Sequence, residues 1–231
     1  MNGNSKKLFL CTKLRFVFDI IFKVSFFFII SYVWAEEDVF RHPLAQETMS
    51  TFNATCANLA EKPIIKGNFV QEKYLNRFDR SLQSSGTFII TAKQGIVWET
   101  LQPFPSTMIL GKDFIMQSRP DGRKSVISAQ GNETFTQMAV VMSAVFSGQS
   151  QGLLDNFDVY FLGSVTNWNM GLLPRDSVFA SFFIKIAISG DSAIRSIRIF
   201  EQNGDVITYT LSNPIYPTTL NDYEKTYFSI P

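Results

Sequence analysis

The chain has 231 residues, of which 45% are hydrophobic and 18% charged, and its formal net charge is +1. The first 35 residues hold five of the 21 Lys and Arg but only one of the 20 Asp and Glu, so the remainder has 16 basic against 19 acidic side chains. A slightly acidic body without a cationic stripe argues against binding driven by nucleic-acid phosphates.

The amino-terminal segment has the three parts of an export signal. Basic residues come first, an apolar core follows over 24–30, and the small residue Ala35 stands at a suitable cleavage position. The longest uncharged run, 24–35, has twelve residues, whereas a membrane-spanning helix needs about 20. We therefore predict a cleavable signal peptide over 1–35 and export to the periplasm, with a retained membrane anchor as the alternative.

The part after the signal is predicted to be one domain. Residues 36–231 are enough to bury a substantial core, and no Pro-, Gly- or Ser-rich linker divides them. Cys56 is the only cysteine in this part, so an internal disulfide is impossible there. A lone cysteine on an apolar helix face is more often a packing residue than a reactive one.

The first predicted element is an amphipathic helix over 39–59. Apolar residues recur there at spacings of three to five, which is the period of one helical face. Pro63 lies just beyond its end, as expected for a residue that cannot continue a helix. The apolar positions are Leu44, Met49, Phe52, Cys56 and Leu59.

From Lys66 the pattern changes to alternating apolar and polar side chains, which predicts half-buried strands. Turn residues separate these segments, and Gly190-Asp191 and Asn203-Gly204 are typical of tight hairpins. Because short turns join consecutive strands, we predict a single antiparallel sheet. The predicted strands cover 68–75, 86–91, 95–101, 106–110, 113–119, 123–130, 157–163, 165–171, 181–189, 193–202, 205–212 and 225–230.

One segment interrupts the strand pattern. Between 133 and 148 the apolar side chains fall on one helical face, and no charged residue follows Glu133. Methionine adapts to irregular neighbours, which suits either a repacking core or a ligand pocket. The residues on this predicted face are Phe135, Met138, Met142, Val145 and Phe146.

The sequence offers little of the chemistry that enzymes use. His42 is the only histidine, which argues against histidine-based triads and multi-histidine metal sites. No glycine-rich phosphate loop, CxxC pair or GxSxG elbow occurs. Asp155 and Asp158 are close in sequence but lie where solvated acids are common, and a two-carboxylate glycosidase site remains open. We predict no enzymatic activity, no cofactor and no metal.

Apolar side chains dominate instead. They occupy alternate positions on consecutive predicted strands, so they can form one continuous face of the sheet. On the residues alone, a packed core explains this face better than a ligand pocket. The residues assigned to it are Phe69, Phe88, Ile90, Trp98, Met108, Leu110, Phe114 and Met116.

The strand block 67–104 resembles a known family. The segments GNFVQEK at 67–73, SGTF at 85–88 and KQGIVWE at 93–99, with Pro103-Phe104 after them, are similar in order and spacing to the periplasmic lipoprotein carriers, LolA and its relatives. The specific part of the resemblance is confined to about 67–110. The closing residues 227–231 also look like the terminal strand of that family.

The resemblance implies a fold and a function. The fold would be α+β but mostly β, with a strongly curved antiparallel sheet that forms a half-open barrel closed by a helical lid. An acyl chain would lie between sheet and lid, and the predicted helix at 133–148 would be that lid. Family members usually have an arginine near the first hairpin turn that holds the lid closed. Here only Lys93 could take that role, and its ammonium lacks the planar fork of arginine.

We therefore expect a carrier that takes lipoprotein or other lipid acyl chains from an inner-membrane donor complex to an outer-membrane acceptor, as a monomer. The alternatives are a periplasmic module that senses lipids or lipoproteins through a protein partner, and a hydrolase of cell-wall or lipid material. The predicted cavity residues are Phe69, Phe88, Ile90, Trp98, Met108, Leu110 and Met116 on the sheet and Phe135, Met138, Met142 and Phe146 on the lid.

Overall fold

The structure is a computed structural model that describes residues 39–111, 114–119, 121–128, 145 and 148–229. Eleven strands lie in these residues: β1 Ile64–Leu75, β2 Arg80–Thr91, β3 Gly95–Gln102, β4 Ser106–Gly111, β5 Phe114–Ser118, β6 Lys124–Ser128, β7 Phe157–Ser164, β8 Asn167–Pro174, β9 Phe183–Gly190, β10 Ile194–Glu201 and β11 Val206–Ile215. The helices are α1 Gln46–Ala60, α2 Ser150–Asn156, α3 Ser177–Phe182 and α4 Asp222–Thr226, and a 3-10 turn covers Asn76–Phe78.

All eleven strands form one antiparallel sheet in the order β6-β5-β4-β3-β2-β1-β11-β10-β9-β8-β7. Strands β1–β6 form one meander, called the N-terminal wing below, and β7–β11 form a second, the C-terminal wing. The two wings join where β1 pairs with β11. The predicted α+β, mostly β class and the antiparallel sheet are confirmed. The sheet is not closed into a barrel.

The sheet has an inner face that packs against α1 and an outer face on the other side. Buried side chains of α1 and of both wings belong to one hydrophobic cluster on the inner face. Strands β2 and β10 are three strand spacings apart, or roughly 14 Å in a flat sheet. Phe88 and Ile194 nevertheless line one cavity of about 20 Å³ between these two strands. The sheet is therefore curved around α1.

Helix α1 begins at Gln46, seven residues later than predicted. The segment before it runs along the edge of β7 instead. The amide of Phe161 donates to the carbonyl of His42 at 2.9 Å, and the amide of Leu44 donates to the carbonyl of Val159 at 2.9 Å. These bonds satisfy edge groups that would otherwise be open to pairing with another chain. Pairing with the edge of β7 therefore replaces the helix that the apolar spacing predicted before Gln46.

The predicted strand at 225–230 is wrong over 225–229. Residues 222–226 form α4, whose start is fixed by a capping box: Asn221 Oδ1 accepts from the Glu224 amide at 2.8 Å, and Glu224 Oε2 accepts from the Asn221 amide at 2.9 Å. The capping box satisfies both amides within the segment. In a strand, they would have needed acceptors on a neighbouring strand. Tyr227 and Phe228 follow the helix and pack on the outer face.

One other helical feature differs from the predictions. The sequence pattern did not indicate the short helices α2 and α3. The predicted lid helix at 133–148 lies outside the described residues except for Val145 and Gly148; Val145 is buried in the inner cluster.

Within the described part of the chain, no helix is both long and apolar enough to cross a membrane. The predicted signal peptide over 1–35 also lies outside the described residues.

Candidate functional site

The inner face of the N-terminal wing carries most of the predicted cavity residues. Phe69, Phe88, Ile90 and Leu110 are buried there in the inner cluster, and Trp98 packs against it. The register explains this placement, since directly paired residues project to the same side: Phe88 pairs with Trp98, and Trp98 pairs with Met108. The structure therefore brings these six side chains to one face.

Two glycines make room for the aromatic rings on this face. Gly67 pairs with Phe88, and Phe69 pairs with Gly86, so each phenylalanine lies opposite a glycine on the neighbouring strand. A Cβ atom at Gly67 would come within 2.8 Å of the Phe88 ring, and one at Gly86 would come within 1.9 Å of the carbonyl oxygen of Glu99. The Phe88 ring therefore packs over Gly67, and the lack of a side chain at Gly86 lets the backbone of β3 lie close to β2.

Trp98 is the centre of an aromatic cluster. Its ring centroid lies 4.3 Å from that of Phe69, 5.7 Å from that of Phe88 in a stacked arrangement, and 5.1 Å from that of Tyr209 in an edge-on arrangement. The indole Nε1 of Trp98 is buried and has no hydrogen-bond partner among the residues that the structure describes. An unsatisfied buried donor is costly, so a bound acceptor at this position would be stabilised.

Tyr209 is a member of this cluster that the sequence reasoning missed. It lies on β11, in the C-terminal wing, and reaches the cluster because β11 pairs with β1. Burial, and secondly the nearby charge of Glu201, raise the pKa of Tyr209 to about 12. The phenol therefore stays neutral. The alternation of side chains over 206–212 could have assigned Tyr209 to one face of its strand. Only the pairing of the two wings, however, places it beside Trp98.

Polar residues lie beyond the aromatic cluster on the same face. Gln71 pairs with Ser84, and this pair lies two residues along the strands from the pair of Phe69 and Gly86. Thr100, on β3, pairs with Gly86. All three side chains are partly exposed. Met108, opposite Trp98, is 42% exposed. Along the strands, the inner face thus changes from buried aliphatic side chains to aromatic rings and then to three polar side chains. These three, Gln71, Ser84 and Thr100, are called the polar band below.

Two residues assigned to this face lie on the other one. Met116 pairs with Ile109, which has the opposite orientation to Leu110 and Met108, and Phe114 shares the orientation of Met116. Both pack in a separate outer cluster with Val97 and Ile109. The prediction that Met116 lines the inner face is therefore wrong. The alternation predicted for β5 was right, but it is shifted by one residue relative to that of β4. The residues expected on the inner face of β5 therefore lie on its outer face.

Small apolar cavities lie along the described part of the inner face. Besides the 20 Å³ cavity beside Phe88, a second apolar cavity of about 10 Å³ lies beside Cys56 and Trp168. The predicted lid residues lie outside the described residues, so their contact with the sheet stays a prediction. Lys93 is exposed in the β2–β3 turn, and its role in lid control also stays a prediction. The predicted lid residues concerned are Phe135, Met138, Met142 and Phe146.

A larger cavity, of about 330 Å³, lies on the outer face between the sheet and α4. The ammonium of Lys66 contacts both carboxylate oxygens of Glu224 at 2.6 Å in its wall. Burial raises the pKa of Glu224, but hydrogen bonds from Lys66 and from the Asn221 amide outweigh burial, so the pKa lies below its ordinary value. The ion pair fixes α4 over the sheet.

Reactive and metal-binding arrangements are limited in the described ranges. No group of three or more His, Cys, Asp or Glu side chains there could hold a metal ion. Cys56 is buried on α1, and burial raises the pKa of its thiol to about 12. The thiol is therefore protonated at neutral pH, as expected for a packing residue.

The fold and the inner face define a class of protein: a half-open antiparallel sheet, curved around a helix, with an apolar and aromatic inner face. The family model "Outer membrane lipoprotein carrier protein LolA" matches residues 63–226. The chain therefore belongs to the LolA family. The predicted membership is confirmed, and the matched region includes all eleven strands.

The solved structures similar to this chain have low sequence identity and TM-scores below 0.5. A LolA superfamily protein from Nitrosomonas europaea has 7% identity and a TM-score of 0.46, covering 79% of this chain and 97% of that one. A putative outer membrane lipoprotein-sorting protein domain from Vibrio parahaemolyticus has 9% identity and a TM-score of 0.42, covering 79% and 100%. LprF from Mycobacterium bovis has 11% identity and a TM-score of 0.43, covering 78% and 98%. No curated protein matches the chain in sequence.

Proposed function

We propose that this protein is a periplasmic carrier that binds the acyl chains of a lipoprotein or another lipid against its inner face and moves them from the inner to the outer membrane. Membership of a family described as outer membrane lipoprotein carriers supports this proposal. The observation that carries it is the aromatic cluster around Trp98 at the partly exposed margin of the inner face.

The order of side chains along the inner face fits a lipid. An acyl chain would lie against Trp98 and Met108, whose side chains are partly exposed, beside the buried ring of Phe69. Each buried methylene contributes about 0.8 kcal/mol, so a long chain supplies affinity without a polar contact. The polar band lies where the ester or amide end of such a chain would emerge. The Trp98 Nε1 donor could bond one of its carbonyl oxygens.

The cargo is tested with the exported protein purified without detergent. Native mass spectrometry is expected to show an added mass that organic extraction removes and that fragmentation identifies as a lipid. A protein that is empty and also fails to bind a fluorescent fatty acid would contradict the carrier function. Hand-over of the labelled lipid to outer-membrane vesicles separates a carrier from a sensor, which would stay bound to one protein partner.

A matched pair of substitutions locates the site. Met108→Asp places a charge beside Trp98 on the inner face, and Val126→Asp places the same charge at an exposed apolar position on the outer face. Loss of contact with about two methylenes predicts roughly tenfold weaker fatty-acid binding for Met108→Asp. Val126→Asp is expected to bind as the parent protein does. Equal effects of both substitutions would place the site elsewhere.

A further inference from the structure

One end of the N-terminal wing carries three neighbouring turns. Leu75 pairs with Arg80, Thr100 pairs with Ser106, and Ser118 pairs with Lys124. The turns 76–79, 103–105 and 119–123 that follow these pairs therefore lie at the same end of the sheet, called the hairpin end below. The β2–β3 turn with Lys93 lies at the opposite end.

The hairpin end exposes large apolar side chains. Single exposed apolar residues are ordinary, but a group on adjoining hairpins marks an interaction surface. Pro103 and Pro105 flank Phe104, so the backbone at this tip has little freedom to turn the ring inward. The exposed fractions are 73% for Phe104, 65% for Phe78, 54% for Leu82 and 50% for Leu101.

The same end is basic although the chain after residue 35 is slightly acidic. It holds five of the 16 basic residues of that part, all of them exposed, against Asp79 and Asp121 in the same turns. Asp121 is paired with Arg123 at 2.8 Å, and Asp79 accepts from the Tyr74 hydroxyl at 2.8 Å. The basic residues are Arg77, Arg80, Arg119, Arg123 and Lys124.

We propose that the hairpin end docks on the surface of an anionic phospholipid bilayer. Phe104 and Phe78 would enter the headgroup region, and the five cations would contact lipid phosphates. Basic residues near an anionic membrane contribute about 1 kcal/mol each, and aromatic side chains add apolar burial at the interface. The guanidinium of Arg77 lies 5.9 Å from the centre of the Phe78 ring. A cation and an apolar ring therefore lie side by side in the turn 76–79.

Docking at this end has a consequence for the inner face. Leu82 projects from β2 to the same side as Ser84 and Gly86, because it pairs with Lys73 two residues beyond the Gln71–Ser84 pair. The order from the hairpin end inward is therefore Leu82, the polar band, and then the aromatic cluster. A lipid leaving the bilayer would meet the apolar rim before the polar band. This path rests on the proposed function, whereas docking itself does not.

Flotation with phosphatidylcholine vesicles, with and without phosphatidylglycerol, tests the proposal on the exported protein. Binding is expected only to the phosphatidylglycerol vesicles and should weaken as salt rises, because the contacts are between exposed charges. The triple variant Arg119→Gln, Arg123→Gln, Lys124→Gln should bind about a hundredfold more weakly, at about 1 kcal/mol per charge. The double variant Phe78→Ser, Phe104→Ser should lose roughly tenfold.

The controls are changes of the same kind away from the hairpin end. Lys93→Gln removes an exposed charge from the opposite end, and Ile215→Ser removes an apolar side chain that is 59% exposed on β11. Both should float as the parent protein does, and any contribution of residues 1–38 is common to every variant.

Equal binding to both kinds of vesicle would overturn the docking surface, and so would equal binding of the parent, triple and double variants. Absence of vesicle binding would do the same and point to a protein acceptor. Fatty-acid binding is measured on the same samples. If it fails in the parent protein while flotation behaves as expected, the carrier function is wrong and the docking surface stands.

Discussion

The rings of Trp98 and Phe69 lie 4.3 Å apart, centre to centre, although their strands β3 and β1 are separated by β2. Two strand spacings amount to roughly 9.6 Å in a flat sheet. The contact is possible because the residue of β2 opposite Phe69 is Gly86, which has no side chain to separate the rings. A glycine therefore sets the shape of the aromatic cluster.

Gly86→Ala should destabilise the protein and loosen this cluster. The added Cβ would lie 1.9 Å from the carbonyl oxygen of Glu99, so β2 and β3 must move apart. Overpacking of this kind typically costs about 1–3 kcal/mol. Urea unfolding followed by circular dichroism measures the change. Ser84→Ala, two residues away on the same face, should shift the free energy of unfolding by less than about 0.5 kcal/mol; an equal effect of both would contradict the steric explanation.

Trp98→Phe and Trp168→Phe remove the same atoms from two different environments. The Nε1 of Trp98 has no partner within the described part of the chain, whereas that of Trp168 donates to the carbonyl of Asp191 at 2.7 Å. Removing an unsatisfied buried donor returns part of its desolvation penalty, about 1–3 kcal/mol, while removing a satisfied one leaves its acceptor bare. Trp98→Phe should therefore unfold at a higher urea concentration than Trp168→Phe. The reverse order would show that Trp98 Nε1 is satisfied in the free protein.

The attachment of α4 should weaken in acid. Because the folded-state pKa of Glu224 lies below its ordinary value of 4.5, its contribution to stability is present above that pH and is lost as the pH falls through the folded-state pKa. Glu224→Gln should therefore lower stability at neutral pH and flatten its fall below about pH 4.5. Urea unfolding across this pH range measures both effects. An unchanged acid response would mean that the Lys66 contact contributes nothing, and Glu47→Gln on the exposed side of α1 is the control.

Cys56 should be inert in the folded protein. Burial raises the pKa of its thiol to about 12, so thiolate is scarce at pH 8, and the side chain is only 1% exposed. In a Cys11→Ser background, Ellman's reagent should label Cys56 only after the addition of urea. Gln94→Cys, in the exposed β2–β3 turn, should be labelled at once without urea. Rapid labelling of native Cys56 would show that α1 opens readily from the sheet.

Much of the fold was predictable because its signals are local. Alternation and turn residues located the strands of both meanders, and the hairpins at Gly190-Asp191 and Asn203-Gly204 form where predicted. The failures have two different causes. A long-range contact with the edge of β7 delays α1, whereas the capping box of Asn221 is a local signal that the strand prediction overlooked.

The candidate site was predictable to the same extent. The inner-face positions of Phe69, Phe88 and Trp98 followed from the period within each strand. The face of Met116 did not, because a turn between two strands can change the phase of the alternation without changing the period. The contact of Tyr209 with Trp98 did not follow from local patterns, since the two residues are more than 100 positions apart in the chain.

The sequence by itself determined the class of fold and the family, because composition, period and turn residues act over short stretches of chain. The tertiary structure decided which side chains meet. Pairing of β1 with β11 joined the two meanders and set Tyr209 beside Trp98. Such contacts depend on register and curvature across distant strands, and no local pattern in the chain encodes them.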